Sequence, residues 1–409
     1  MNLTNMQTYL EQNLPRCLEL LRQMVDINSF TANPEGVNQL GQLTAQVFAD
    51  LGFTAEFIPS IYPQFGKHLV LTRPGASDRT IGCISHLDTV YPPEEEIHNN
   101  FAWRVEGERI YGPGSNDIKG GTIALYMMLD AIRAFAPAVY DDVTWVLLFD
   151  SSEEDMADDF GRLCRQRLAG DKTLAALIFE AGLTNKEEFW VVQSRKGMGV
   201  FTVSVEGKSA HAGSAHQSGA NAIVQMADVV QQLAALTDYG RDVTVNVGKI
   251  GGGTVTNRVP HHAEAGLEMR AFAPDVFQET LDKIMGLTGR ATIHSAADNY
   301  PCQTAVNLVR ITPPWPRNEG TSRLTRIWEE ASGQLGRRLV CEDRGGLSDG
   351  NHLWDIVPCL DGLGIAGSNA HCSERSSDGS KDQEYCLPAT LVPKTMLNVT
   401  AVLNLITGA

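Results

Sequence analysis

The sequence predicts an α/β fold: a central sheet flanked by helices, with a second, ferredoxin-like α+β domain inserted into it. Three observations predict this architecture. The chain has 409 residues, which is long for a single hydrophobic core. Apolar residues at helical spacing alternate with short, continuous apolar runs that favour buried strands. From about Gly197 this pattern changes, and after residue 308 it resumes.

The first part of the chain supplies most of the predicted sheet. Apolar residues three or four apart predict helices over 14–25 and 37–51. The runs TIGCIS, VTWVLLF and LAALIF are short and rich in β-branched residues, which is typical of strands buried on both faces. We therefore expect helices and buried strands in alternation up to residue 196.

The segment 197–308 contains its own sequence of elements, in the order β-α-β-β-α-β. GVFTVSVEG, DVTVNVGKI, AEAGLEMRAF and ATIHSA are the predicted strands, and helical patterns run through 223–233 and 274–287. This is the ferredoxin-like order, which is complete in itself. The predicted domains are therefore 1–196 with 309–409, and the inserted 197–308.

The last part of the chain returns to the larger domain. A helix is predicted over 321–335, followed by the strand RRLVC and the apolar run IVPCLDGLGI. A final helix is expected from about Lys394, just past Pro393.

Composition narrows the function classes. The formal net charge of −16 disfavours nucleic acid and anionic membranes as partners. Eight scattered cysteines without a C-x-x-C pair fit reduced thiols better than disulfides or a thiolate zinc site. No apolar run reaches about 18 residues, and the amino terminus lacks a signal-peptide pattern. We therefore expect a soluble cytoplasmic protein.

Several potential metal ligands stand at the ends of predicted core elements. His86 and Asp88 end the first buried run two residues apart, so both point to the same face. Asp117 lies in a glycine-rich turn before an apolar helix, and Glu153 and Glu154 follow another buried run. Taken singly, Asp117 could be a helix N-cap and the two glutamates a solvated turn.

Two further residues complete the set. Glu180 also terminates a buried strand, and His371 follows the last apolar run. Carboxyl ends of strands are where open α/β sheets place ligand groups. A set of histidines, aspartate and glutamates suits zinc, since imidazole nitrogen and carboxylate oxygen both bind it.

The motifs resemble those of the M20 metallopeptidases, particularly the glutamate carboxypeptidase-like branch. They occur in family order over nearly the whole chain: HLDTV, GPGSNDIKGG, EE, FEAG, GKSAHAG, GGGTVTNRVP, GGLSDG and DGLGIAGSNAH. The resemblance implies a zinc-exopeptidase-like catalytic domain with two Zn²⁺ per chain, which Co²⁺ or Mn²⁺ could replace. It also implies that the inserted domain is a dimerisation and lid domain of a homodimer.

The resemblance also implies a role for each residue of the centre. Asp117 would bridge the two metals, with His86 and Glu180 completing one site. Glu154 and His371 would complete the other site. Glu153 would be the general base, and Asp88 would orient and polarise His86.

Residues near and within the inserted domain are implied in substrate recognition. His211 resembles the family histidine that reaches the partner subunit's active site and stabilises the developing oxyanion. Lys208, Asn257 and Arg344 align with positions suited to a substrate carboxylate. The alternatives are a structural or solvated His211 and a surface charge at Lys208, while Arg270 could be a domain-packing residue.

Two segments depart from the family pattern, and both bear on the substrate. The sequence DMADDFG places three further acids beside the glutamate pair, where they favour a solvated helix start: Asp155, Asp158 and Asp159. The loop over 373–384 is longer than usual, and loops near a site tune specificity.

The leading hypothesis is a zinc-dependent hydrolase of an amide bond in a peptide or N-acyl amino acid, which releases a C-terminal amino acid. One alternative is a metal-dependent, non-hydrolytic enzyme of a specialised pathway. Another is a non-catalytic dimeric ligand-binding protein on the same fold. The base Glu153 and the five ligands favour hydrolysis, because a binding protein has no chemical need for them.

Overall fold

The computed structural model describes residues 2–155 and 158–408, which form two compact units. The larger unit comprises Met1–Gln193, Arg317–Asp343 and Ser348–Ala409, and the smaller unit comprises Ser194–Pro316 and Arg344–Leu347. The sequence places the divisions after residues 196 and 308. The compact units instead divide after residues 193 and 316, and the segment 344–347 joins the smaller unit.

The helices and strands are numbered in chain order. The helices are α1 (Leu3–Val25), α2 (Pro34–Ala49), α3 (Pro93–His98), α4 (Lys119–Phe135), α5 (Pro137–Asp142), α6 (Asp158–Leu168), α7 (Ala222–Ala234), α8 (Pro274–Met285), α9 (Glu319–Gln334) and α10 (Leu391–Thr407). The strands are β1 (Thr54–Pro59), β2 (Lys67–Arg73), β3 (Thr80–His86), β4 (Arg104–Glu106), β5 (Arg109–Tyr111), β6 (Thr144–Asp150), β7 (Thr173–Ile178), β8 (Glu188–Arg195), β9 (Gly197–Glu206), β10 (Thr244–Gly252), β11 (His262–Ala271), β12 (Gln303–Thr312), β13 (Arg338–Arg344), β14 (Cys359–Leu360), β15 (Gly367–Ser368) and β16 (Tyr385–Cys386).

The main sheet of the larger unit has the order β1-β2-β6-β3-β7-β14. Strands β6, β3, β7 and β14 run parallel, whereas β1 and β2 are antiparallel to their neighbours. The runs predicted as buried strands are β3, β6 and β7, and those predictions are confirmed. Because parallel strands end at one edge of a sheet, His86 and Asp150 are register partners at the carboxyl ends of β3 and β6.

Helices pack closely on this sheet. The glycine pair at the start of α4 permits the approach: a Cβ atom at Gly121 would lie 2.0 Å from the backbone oxygen of Phe179. Helix α10 packs against α1, α4 and α9. The segment Pro388–Thr407 is long and apolar enough to span a membrane, but 67% of its most apolar window is buried inside the protein, as in a core helix.

Helix α10 begins at Leu391, earlier than the predicted start at Lys394. Pro393 therefore lies in the first turn of the helix rather than before it. Proline is tolerated there because the first backbone N–H groups of a helix have no intrahelical partner.

The sheet of the smaller unit has the order β10-β11-β9-β12, with all neighbours antiparallel. Its elements follow the predicted order β-α-β-β-α-β, which confirms the ferredoxin-like prediction. The predicted last strand was wrong. ATIHSA contributes only an isolated bridge between His294 and Pro301, and the fourth strand is β12. That strand pairs with β9 along its length, which the shorter apolar run could not do.

Candidate metal centre

One set of potential ligands surrounds His86, the last residue of β3. Its imidazole is buried, and Nε2 lies 3.2 Å from Asp117 Oδ1 and 3.7 Å from Glu180 Oε1. One ligand atom from each of these three side chains lies within 4.8 Å of the others. A single N–H cannot donate well to two carboxylates, whereas a cation among the three groups would satisfy all of them.

A second set surrounds His371 and shares Asp117. His371 Nε2 lies 3.1 Å from Glu154 Oε2 and 3.4 Å from Asp117 Oδ2. The two oxygens of Asp117 therefore face different histidines, which is the arrangement of a bridging carboxylate. His371 has a left-handed backbone with φ of 65°, which is uncommon outside glycine and often marks functional sites.

The turn that carries Asp117 is held by Glu384, a residue that the sequence analysis missed. Glu384 Oε1 accepts hydrogen bonds from the backbone N–H groups of Asn116 (2.7 Å) and Asp117 (3.0 Å). The Tyr91 hydroxyl donates to Oε2 at 2.7 Å. Burial, aided by the charge of Asp117, raises the pKa of Glu384 to about 7. The available signal was an acid that ends the polar loop 373–384 directly before an apolar segment.

The turn that carries the glutamate pair is held by Asp88. The backbone N–H of Glu153 donates to Asp88 Oδ1 at 3.1 Å, and that of Glu154 donates to Oδ2 at 3.2 Å. Asp88 also contacts His86, whose Nδ1 lies 3.0 Å from the Asp88 backbone oxygen and 3.4 Å from Oδ1. Asp88 thus reaches both the histidine, as the sequence predicts, and the glutamate turn, which the sequence does not show.

The electrostatics of the centre favour proton uptake by Glu153. Burial raises the pKa of Glu153 well above 4.5, and the negative charges of Glu154 and Glu180 raise it further, while His86 opposes them. Asp349 is a second buried carboxyl group whose pKa is raised by burial and by the charges of neighbouring acids. A carboxylate that binds protons readily is suited to act as a base and then as an acid.

His211 lies in the smaller unit with an exposed side chain. Its Nδ1 accepts hydrogen bonds from the backbone N–H groups of Gly213 and Ser214, both at 3.1 Å. Because Nδ1 is an acceptor, the neutral ring carries its proton on Nε2. The exposed nitrogen is therefore a hydrogen-bond donor.

The other predicted recognition residues also lie in the smaller unit. The Lys208 ammonium group pairs with Asp298, which fits a structural charge as well as a binding role. Asn257 accepts a backbone hydrogen bond from Ala212, and Arg344 ends β13. Arg270 donates to Glu268 at 3.1 Å and to the Gly345 backbone oxygen at 3.0 Å, contacts that favour its packing role.

The expectation of a solvated helix start after the glutamate pair is wrong for Asp159. This side chain is buried and accepts hydrogen bonds from Ser60 Oγ (2.7 Å) and the Ile61 N–H (3.0 Å). Asp158 accepts from the Tyr62 hydroxyl at 2.9 Å, whereas Asp155 is exposed. The partners of Asp159 come from a distant part of the chain, so local sequence could not show them.

The loop 373–384 is anchored at both of its ends. The Gln383 side-chain amide donates to the backbone oxygens of Asn99 (2.9 Å) and Ser373 (2.8 Å). Arg375 forms two hydrogen bonds with Glu106, at 2.9 and 2.8 Å. The loop therefore lies against the segment that carries α3 and β4, next to His371.

The chain is similar in sequence to a known domain family and to known enzymes. The peptidase dimerisation domain family matches residues 193–292. Carboxypeptidase G2 from a Pseudomonas species is 26% identical over 362 residues, which cover 87% of this chain and 83% of that protein. An acetylornithine deacetylase from Pectobacterium carotovorum is also 26% identical, over 76% of this chain and 80% of its own length.

The fold is also similar to a solved structure. An M20-family metallo-carboxypeptidase from Sulfolobus solfataricus superposes with a TM-score of 0.69 at 16% sequence identity. The match covers 96% of this chain and 99% of that one, so the similarity of fold extends over both units.

Proposed function

We propose that the chain is an M20-family metallopeptidase that hydrolyses an amide bond of a peptide or N-acyl amino acid at a centre of two zinc ions, as its match to the peptidase dimerisation domain and its similarity to carboxypeptidase G2 support. The released product is a C-terminal amino acid. The observation that carries this proposal is the pair of ligand sets that share Asp117, with Glu153 beside the ligand Glu154. The similarity to a carboxypeptidase and to a deacetylase supports both substrate classes.

The two ligand sets share Asp117 and differ in their other two residues. His86, Asp117 and Glu180 would hold one ion, and Asp117, Glu154 and His371 the other. Two such cations, when bound, polarise the scissile carbonyl and acidify the attacking water. One imidazole and two carboxylates in each set suit Zn²⁺, with Co²⁺ or Mn²⁺ as substitutes.

Glu153 is the base in the proposed reaction. Its side chain belongs to neither ligand set, so its carboxylate can accept a proton from the attacking water. It then passes that proton to the nitrogen of the leaving amine. Neighbouring glutamates can divide these tasks because consecutive side chains point in different directions.

Residues of the smaller unit bind the substrate in this proposal. The Nε2–H of His211 donates to the oxygen that develops negative charge. Arg344 offers a planar fork for a substrate carboxylate. Asn257 and Lys208, in other segments of the smaller unit, would also bind the substrate. Lys208 can take this role only if its pair with Asp298 opens.

A homodimer would bring His211 of one chain to the centre of the other. Strand β10 lies at an edge of its sheet, where the exposed side chain of Ile250 accompanies open backbone groups. Ile223 and Val224 on α7 are also exposed. An exposed edge strand with apolar neighbours can pair with its copy across a two-fold axis.

The substrate proposal is tested with zinc-loaded protein and a panel of peptides and N-acyl amino acids. We expect free amino acid to appear together with the matching acid, as identified by mass spectrometry. Conversion without hydrolytic products would indicate the non-hydrolytic alternative. Binding without any conversion would indicate a ligand-binding protein.

The metal proposal predicts up to two zinc ions per chain after reconstitution. Asp117→Asn should weaken both sites, whereas His371→Ala should reduce the content to about one ion, since each set needs three ligands. Elemental analysis of folded, desalted protein measures this, and exposed His294 provides the matched control His294→Ala. Only trace metal in folded wild-type protein would remove the basis of the proposed reaction.

A further inference from the structure

His68 lies on β2 in the larger unit, between the carboxylates of Asp150 and Asp159. Its side chain is 2% exposed; Nδ1 lies 3.1 Å from Asp150 Oδ1, and Nε2 lies 3.1 Å from Asp159 Oδ2. Neither carboxylate belongs to the two ligand sets. The ring of Phe160 covers the imidazole, with centroids 5.2 Å apart. Buried carboxylates need a compensating charge, and the imidazole is placed to provide it.

The surroundings of His68 favour its protonated form. Burial lowers the pKa of His68, but its contacts with Asp150 and Asp159 outweigh this effect and raise the pKa to about 9. Burial raises the pKa of Asp159, yet His68 and Ser60 hold it below its usual range. The backbone N–H of Ser151 also donates to Nδ1 of the ring at 3.2 Å, so the segment before the glutamate pair binds His68 directly.

The cluster of His68, Asp150 and Asp159 also contacts the residues directly before the glutamate pair. Asp150 Oδ1 accepts a hydrogen bond from the Ser152 N–H at 2.9 Å. Ser151 Oγ lies 3.1 Å from His68 Nδ1 and donates to the Gly66 backbone oxygen at 3.0 Å. The base of the turn is thus attached to β2, while Asp88 binds the N–H groups of Glu153 and Glu154.

On its other side, the cluster holds the start of α6. Asp159 is the second residue of that helix and also binds Ser60 and the backbone of Ile61. The end of β6 and the start of α6 therefore meet at one buried imidazole. These two points lie on either side of Glu153 and Glu154 in the chain.

We infer that His68 is a positioning residue for the metal centre: it joins the end of β6 to the start of α6 and so fixes the turn that presents Glu153 and Glu154. The inference rests on the proposed function, since the placement of Glu154 matters for the second ligand set. It concerns chiefly that set, because His86 ends β3 and Glu180 follows β7, whereas the glutamate pair follows β6. Its effect should therefore be selective.

The test is a zinc titration of H68N against a competing chelator. We expect the affinity of the set containing Glu154 to fall by about 10- to 100-fold, a usual effect of removing a group that supports a ligand. The affinity of the set around His86 should stay near that of wild type. His371→Ala identifies which of the two affinities belongs to which set.

Tyr9→Phe is the matched control, because it removes a partly buried hydrogen bond between other elements of the larger unit. The Tyr9 hydroxyl donates to Asp130 Oδ2 at 2.7 Å, on the helix pair α1 and α4. The control should change thermal stability and leave both zinc affinities unaltered. If H68N behaves in the same way, His68 is merely structural and the inference is overturned.

Two measurements keep the inference testable if H68N does not fold. D159N keeps the shape of the side chain and removes its charge, and folded D159N with wild-type zinc affinities would contradict the inference. In wild-type protein, the imidazole nitrogen-15 shifts should show both ring nitrogens of His68 in hydrogen bonds at pH 7.5, and a ring with a nitrogen free of hydrogen bonds would overturn the inference. Wild-type protein that binds no zinc would instead refute the proposed function.

Discussion

Glu153→Gln is expected to lower kcat by about 10²- to 10⁴-fold while the zinc content stays at the wild-type value. Glutamine keeps the size of the side chain but cannot accept the proton of the attacking water. Glu153 belongs to neither ligand set, so its loss should not remove a metal ligand. Steady-state kinetics and elemental analysis of the same preparation measure both effects.

Two neighbouring variants serve as controls for this result. Glu154→Gln should weaken zinc binding, because Glu154 Oε2 lies 3.1 Å from His371 Nε2 in the second ligand set. Asp155→Asn changes an exposed acid next to the pair and should leave both kinetics and zinc content unchanged. Wild-type turnover by Glu153→Gln would show that another group is the base.

A mixture of His211→Ala and Glu153→Gln chains is expected to recover activity that neither variant has alone. In the proposed homodimer, each site combines Glu153 of one chain with His211 of the other. A heterodimer of the two variants therefore contains one site with both residues intact and one with both defects. Up to about half of its sites should work, because each catalytic group contributes only where it is present.

The control for complementation is a mixture of Glu153→Gln and Glu154→Gln. Both defects lie in the same turn, so subunit exchange cannot assemble an intact site. Native mass spectrometry verifies that heterodimers form in each mixture. Heterodimers of His211→Ala and Glu153→Gln without activity, or an active monomer, would refute the action of His211 in trans and leave the zinc proposal standing.

Local patterns in the sequence identified the candidate ligands, and the resemblance to the M20 metallopeptidases divided them into two sets. His86, Glu154 and Glu180 each follow an apolar run that forms a strand of the main sheet. The strands are parallel, so their carboxyl ends converge and bring these side chains together. A short apolar run and the polar residue that ends it are close together in the chain. Both can therefore be recognised from the local sequence pattern.

The sequence pattern predicted the wrong segment for the fourth strand of the smaller unit. ATIHSA has the β-branched residues of a strand, whereas QTAVNLVRIT contains polar residues that weaken its pattern. Pairing with β9 over most of its length selects the second segment. Strand formation depends on the neighbouring strand, which lies far away in sequence.

The sequence by itself determined the two-domain α/β organisation and the types of candidate ligand at the proposed centre, because both depend on periodicity and on residues at the ends of strands. Only the tertiary structure decided what holds those ligands in place. Glu384 binds the turn of Asp117, and His68 meets Asp159, through contacts between segments that are remote along the chain. An isolated acid or histidine carries no local signal of such a partner, since burial and pairing arise only when the segments pack together.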